Sequence, residues 1–261
     1  SSRGGGMDIN TIFSDTFDYT RKMFTDLGRL IILIVLDIIP IVNFIVIGYA
    51  AKAVVETPSS KEPPILKGYG DMWIQGLKIV VASLIWMIIP IILIGIGFGL
   101  GAWSPSFYGF PARLGAAIAL GVIGIVAAFI IAIILSMAIV HMIKHNSFSK
   151  AFAIGEVVDI IRRIGWGKYL LWLIIIFVIG LIIAGIGSIP FVGWVISLII
   201  GPLFAVFVAR SASMIYLEGA PTPPLTPTPT VVPSGVKYCS NCGESLPPDA
   251  IFCPKCGQKI S

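Results

Sequence analysis

The chain of 261 residues is 57% hydrophobic and only 12% charged. Soluble domains carry roughly 25% charged residues, so a water-soluble enzyme, a disordered chain and a disulfide-rich secreted protein are all excluded. Its mean hydropathy is +0.98, and several apolar runs reach the ~20 residues that a bilayer crossing requires. The net charge of +5 therefore bears first on orientation and on anionic lipid headgroups, with nucleic acid a poor second.

Residues 1–6 (SSRGGG) ahead of Met7 read as a cloning scar, and nothing resembles a cleavable signal peptide. The membrane domain is expected over 7–218. Asn10 to Leu27 has the pattern of an amphipathic helix, with Phe13, Phe17, Phe24 and Leu27 on one side and Asp15, Asp18, Lys22 and Asp26 on the other. Such a helix is expected to lie in the headgroup plane with its phenylalanines down. The first apolar run, Leu30 to Val55, contains Asp37 and is interrupted by Pro40 and Asn43. It reads as a re-entrant hairpin turning at 39–43, or else as one kinked spanning helix. Each limb of a hairpin would reach ~15–18 Å, about half the hydrocarbon thickness.

Four full transmembrane helices are expected at Gly76 to Ala102 (broken by Pro90), Leu114 to Val140, Tyr169 to Ser188 and Val192 to Ala209. Before the third of these, Ala151 to Ile164 repeats the amphipathic pattern, with Ala151, Ile154, Val158 and Ile161 facing one way and Lys150, Glu156, Asp159 and Arg163 the other. The fold class is thus an all-α integral membrane protein with a short hairpin and interfacial helices. IPIVNF at Ile39 to Phe44 matches IPFVGW at Ile189 to Trp194, which suggests an internal duplication. Charge favours the hairpin: it puts every lysine and arginine except Arg113 on one side, the cytoplasmic one, together with both termini.

Residues 219–236 change character, since GAPTPPLTPTPTVVPSG holds six prolines. Proline fixes φ and lacks an amide donor, so this stretch reads as a semi-extended linker. Residues 237–261 carry the only cysteines, Cys239, Cys242, Cys253 and Cys256, as two Cys-x-x-Cys knuckles. Four thiolates at about 2.3 Å make a closed tetrahedral site for one structural Zn2+. So short a segment cannot bury a core, and the metal supplies its folding free energy. The rival, two disulfides, requires an oxidising compartment, and the expected topology puts this tail in the cytosol.

The sequence YCSNCGESLPPDAIFCPKCGQKI closely resembles the zinc-ribbon modules that many prokaryotic membrane proteins carry at one terminus. A closed site leaves no position for substrate. Lys237, Lys255 and Lys259 against Glu244 and Asp249 make no basic patch, so protein docking is expected over nucleic-acid binding. Upstream, IPIVNFIVIGYAAKAV (Ile39 to Val54) and GDMWIQGLKIVV (Gly70 to Val81), with the Pro90 break, resemble domain-of-unknown-function family 4013. That resemblance implies a prokaryotic multi-pass membrane architecture and no established activity.

Asp37 is the one acidic residue deep in an apolar run, with Asn43 as a candidate partner; an intramembrane carboxylate is a functional candidate by default. His141 and His145 stand one helical turn apart, and interfacial histidines are favoured over a metal face. Gly95/Gly99, Gly97/Gly101, Gly124/Ala128/Ala132 and Gly180/Ala184 have small-x-x-x-small spacing for close helix packing, which also leaves a homo-oligomer open. Trp103, Phe107, Tyr108 and Phe110 on the outer side, with Trp166, Tyr169 and Trp172 on the inner, read as aromatic-belt residues. Two functions follow as expectations. The first is a membrane-embedded scaffold or regulator that presents a tethered cytosolic ribbon to a protein partner. The second is a channel or transporter of unknown solute. No nucleophile–base pair or open metal site supports an enzyme.

Overall fold

The computed structural model describes residues 7–102, 110–220, 237–238, 241–242, 245–246, 252–257 and 259. Cys239, the proline-rich 221–236 segment, Trp103, Phe107, Tyr108 and the side chains of Phe110 and Arg113 lie outside the described residues. The chain divides into two compact units, Ser1–Ala220 and Pro221–Ser261.

The first unit is helical: α1 (Ile9–Arg21), α2 (Leu27–Ile38), α3 (Phe44–Glu56), α4 (Tyr69–Ala102), α5 (Phe110–Lys144), α6 (Ile154–Ile164), α7 (Trp166–Gly187) and α8 (Gly193–Gly219). Short 3-10 turns at Lys22–Thr25 and Phe148–Phe152 follow α1 and precede α6. Four segments are long and apolar enough to cross a bilayer: Tyr69–Gly99, Leu114–Lys144, Trp166–Gly187 and Gly193–Gly219. In α7 only 6% of the most apolar window is buried, and Ile174, Phe177, Leu181 and Ile182 point outward. Ile88, Ile89, Ile91 and Ile92 do the same on α4. Contiguous exposed aliphatic belts of this kind are incompatible with water and suit hydrocarbon.

Glycines let successive helices approach closely. A Cβ at Gly48 would lie 1.8 Å from the Met72 carbonyl oxygen, and one at Gly76 would lie 1.9 Å from that of Phe44. Those two contacts cross α3 and α4 antiparallel. Gly97 sits against Ala117 and Gly124 against Ile94, joining α4 to α5. Gly95 and Gly99 meet nothing within 4 Å, so only part of the expected glycine ladder packs.

The first apolar run is not one helix. It is α2 and α3 joined by a turn at 39–43. Asp26 caps α2 by accepting from the Arg29 amide at 3.0 Å. After Pro40, Ile41 takes φ 72°, a costly conformation for a β-branched residue, and the Asn43 amide closes the turn on the Ile39 carbonyl at 3.0 Å. The 189–193 turn repeats this: Phe191 has φ 64° and the Gly193 amide reaches the Ile189 carbonyl at 2.9 Å. The two similar hexapeptides thus share a backbone shape, although the helix before the turn has 12 residues in one case and 22 in the other. The Arg29 guanidinium at the start of α2 donates to the Pro63 and Pro64 carbonyls, both at 3.2 Å, in the segment that follows α3. The α2–α3 hairpin therefore returns to the end of the bundle from which it starts.

The core gathers at that same end. Tyr19, Met23, Tyr49, Met142, Ile161, Ile215 and Tyr216 are all within it. Here α1 packs a row of residues that the sequence reading did not single out, and α6 turns away from its expected face. α1 buries Ile12, Thr16 and Tyr19, with Met23 following, while Phe17, Phe24 and Leu27 stay exposed. Phe13 of the amphipathic stripe stacks on Phe207 of α8, ring centroids 6.0 Å apart. The rest of that stripe is the outer face, and the less conspicuous Ile-Thr-Tyr-Met row packs on the bundle. α6 buries Val157, Ile160, Ile161 and Ile164 but exposes Ile154. It is turned so that Ile160 meets Gly219 of α8, whose missing side chain leaves that room. Tyr169 and Trp172 are corrected from belt to core: they are 0% and 1% exposed and stack with centroids 5.9 Å apart. Tyr169 bonds Ser136 Oγ at 2.6 Å and the Ile133 carbonyl, which ties α7 to α5.

In the second unit, β1 (Lys237–Tyr238) pairs antiparallel with β2 (Ser245–Leu246), Lys237 opposite Leu246. A single bridge joins Phe252 and Lys259.

Candidate metal centre and the polar end of the membrane unit

Cys242, Cys253 and Cys256 come together with their sulfurs all within 4.8 Å of one another. Cys242 and Cys253 Sγ are 3.6 Å apart. A disulfide would bring them to about 2.0 Å, whereas two ligands on a tetrahedral zinc at about 2.3 Å stand roughly 3.8 Å apart. The spacing is that of a metal site. Gly257, directly after the second knuckle, takes φ 73° and its amide donates to the Cys253 carbonyl at 2.8 Å. That left-handed turn folds the knuckle back so that both sulfurs of the pair face one point. Cys253 is buried and Cys242 and Cys256 lie at the surface. The donor set is thiolate, soft and anionic, which fits zinc.

The polar end of the membrane unit holds a network that the sequence does not announce. Arg210, 3% exposed near the end of α8, makes paired bonds to the Asp15 carboxylate of α1 at 3.1 and 3.0 Å. It also donates to Thr57 Oγ1 at 3.2 Å and to the Ser60 carbonyl at 2.9 Å, and lies 4.5 Å from the Tyr19 ring centroid. Burial pushes the Tyr19 hydroxyl up to about 12, so the ring stays neutral under the cation. The Thr57 carbonyl accepts from Lys144 at the end of α5. Lys168 at the start of α7 bonds both Glu218 and the Met7 carbonyl. The N-terminal helix, the 57–68 segment, the α5–α7 connection and the end of α8 are thereby fastened at one end.

His141 is corrected from interfacial to buried: it is 3% exposed. Its Nδ1 is 2.8 Å from the Tyr216 hydroxyl and its Nε2 is 2.9 Å from Glu156. Lys150 donates to both oxygens of Glu156, at 2.7 and 2.8 Å. The hydrogen bonds from Lys150 and then His141 hold the Glu156 carboxyl below its ordinary value. The His145 ring packs tilted against that of His141, centroids 4.1 Å apart, and its Nδ1 bonds the His141 carbonyl. The partner of His141 was invisible in sequence because it comes from another helix, 15 residues on. Asp15 and Arg210, 195 residues apart, were missed for the same reason. The one available signal was Arg210, well before the Gly219 end of an apolar helix, which demands a counter-charge.

Asp37 lies half-buried near the end of α2, its Oδ2 3.1 Å from where a Cβ on Gly201 would stand. Asn43 precedes α3 but caps nothing, and its buried Oδ1 has no partner. Among the described residues no hydrogen bond joins Asp37 to Asn43, so the expected pair does not form.

Eight helices among the described residues, four of them bilayer-length, with a cysteine cluster in a separate small unit, define a multi-pass membrane protein carrying a zinc ribbon. The chain belongs to the family described as protein of unknown function (DUF4013), which matches residues 31–192, and a zinc-ribbon domain matches residues 238–260. The family match starts in α2 and ends within the second Ile-Pro turn. Searches of curated proteins and of solved structures gave no match.

Proposed function

We propose that this protein is a membrane-embedded scaffold or regulator that presents a cytosolic zinc ribbon to a protein partner. The observation that carries the proposal is the division into two units, one an apolar helical body and the other organised around three converging cysteines. A sequence with six prolines joins them, and such a tether gives the ribbon reach over the membrane surface. On this reading α2–α3 is a re-entrant hairpin, α1 rests its phenylalanines in the headgroup layer, and both termini are cytoplasmic. The shared end of α1, the 57–68 segment and the end of α8 supports that topology. The role is non-enzymatic, and the zinc is single and structural.

The test is affinity capture from native membrane extract with the detergent-solubilised full chain and its Cys253→Ser variant. The proposal expects a partner retained by the wild type and lost in the variant. Equal recovery by both contradicts it.

A second reading, a channel or transporter, rests on Asp37. Its carboxylate abuts Gly201, just before Pro202 inside α8, and that proline leaves a helix carbonyl without its usual donor. Reconstituted flux measurements separate the readings, as set out below.

A further inference from the structure

Between α3, the start of α4 and the end of α5 lies a cavity of about 430 Å³, within the range of small-ligand sites. Three lysines from three different segments line it: Lys52 on α3, Lys67 in the segment before α4, and Lys144 at the end of α5. Asp71, Gln75 and Asn146 complete its polar wall. The close crossing of Gly48 on Met72 brings α3 and α4 together beside it, so the cavity is framed by backbone.

The charges are not balanced locally. Lys52 Nζ donates to the Ile65 carbonyl at 3.0 Å and Lys144 Nζ to that of Thr57. Each ammonium has three donors, and a carbonyl satisfies one without neutralising the charge. None of the ion pairs among the described residues involves any of these three lysines. The one carboxylate present, Asp71, sits in the first turn of α4, where the helix N-terminus already favours it. Three cations against one carboxylate in a concave site concentrate anions. Lysine serves as a point-charge ligand for phosphate, and basic pockets at the ends of membrane helices suit phosphate headgroups.

We propose that this cavity binds a phosphate-bearing anion through Lys52, Lys67 and Lys144, with Asp71 setting an upper limit on affinity. The shared chemistry is the phosphate, carried either by a lipid headgroup or by a soluble compound. This is independent of the ribbon's role, since it concerns only the membrane unit.

The full chain, purified in a zwitterionic detergent, is tested in two arms. Native mass spectrometry measures retention of phosphatidylglycerol against phosphatidylcholine, and calorimetry measures inorganic phosphate. Lys52→Gln/Lys67→Gln is compared with Arg162→Gln/Arg163→Gln, which removes the same charge from the exposed face of α6. At roughly fivefold per lysine near a membrane surface, the lysine pair should weaken binding about thirtyfold and the arginine pair far less. Asp71→Asn should tighten binding by about fivefold, a gain that no folding defect produces. Retention of phosphatidylglycerol alone identifies a lipid headgroup site; phosphate binding as well extends the site to soluble ligands. The proposal is overturned if the wild type shows neither preference, if both double variants lose equally, or if Asp71→Asn leaves binding unchanged.

Discussion

The two units of this protein are held together by different means. The membrane unit is built on side chains: a core at one end of the bundle, close glycine crossings, and a buried arginine tied to a carboxylate from the far end of the sequence. Among its described residues the ribbon shows two strands of two residues each, one bridge and a buried cysteine, and a segment this short needs a metal or disulfides to fold alone. Its organising element is the sulfur cluster. Each unit should therefore be breakable without the other, by chemistry specific to it.

The largest effect should come from Cys253→Ser. Structural zinc in small modules contributes about 10–16 kcal/mol, so this variant should lose its zinc and its ribbon fold. Helical circular dichroism of the membrane unit should stay unchanged. Next comes Arg210→Met, which strands the Asp15 carboxylate. Breaking a fully buried pair costs about 3–5 kcal/mol; Asp15 is 33% exposed, so the cost should lie below that range. The detergent melting temperature of the helical unit should fall while zinc content holds. Asp15→Asn combined with Arg210→Met should cost less than the sum of the two, which a double-mutant cycle reads directly. Gly48→Leu, aimed at the Met72 carbonyl, should destabilise the same unit by at least about 1–3 kcal/mol.

Smaller again is a pH effect. The Glu156 carboxyl is held below its ordinary value of 4.5 by Lys150 and His141, so its contribution is present above that value. It fades as pH falls through the lowered one. The wild type should therefore lose a modest stability increment as pH falls below that ordinary value, which Glu156→Gln lacks; parallel pH–melting curves for the two would contradict this. The smallest expected effect is that of Asp37→Asn. On the scaffold reading it is silent in ion and proton flux across liposomes. A flux that disappears in this variant favours the channel reading instead.

Much of this architecture was legible in the sequence. Apolar length marked the four long helices, the paired proline turns marked α2–α3 and α7–α8, and cysteine spacing marked the metal site. These are local signals. What α1 and α6 bury was not legible: α1 carries a second apolar row, so Ile12 and Tyr19 pack inward while Phe17 and Phe24 stay out, and α6 is turned so that Ile160 rather than Ile154 is buried. Tyr169 and Trp172 looked like belt residues until Ser136 and the Ile133 carbonyl, from a distant helix, gave the tyrosine hydroxyl its partners. The Asp15–Arg210 bond and the His141–Glu156 contact are likewise products of topology, which no window of sequence contains.

The central claim is that a metal-built ribbon is carried by a membrane body that does not need the metal. Zinc content and helical circular dichroism, measured on the purified full chain before and after a strong chelator, test it together. The account predicts one zinc per chain, removed by the chelator, with the helical signal and its melting temperature unchanged. A chain that holds no zinc, or a helical signal that collapses with the metal, would contradict it.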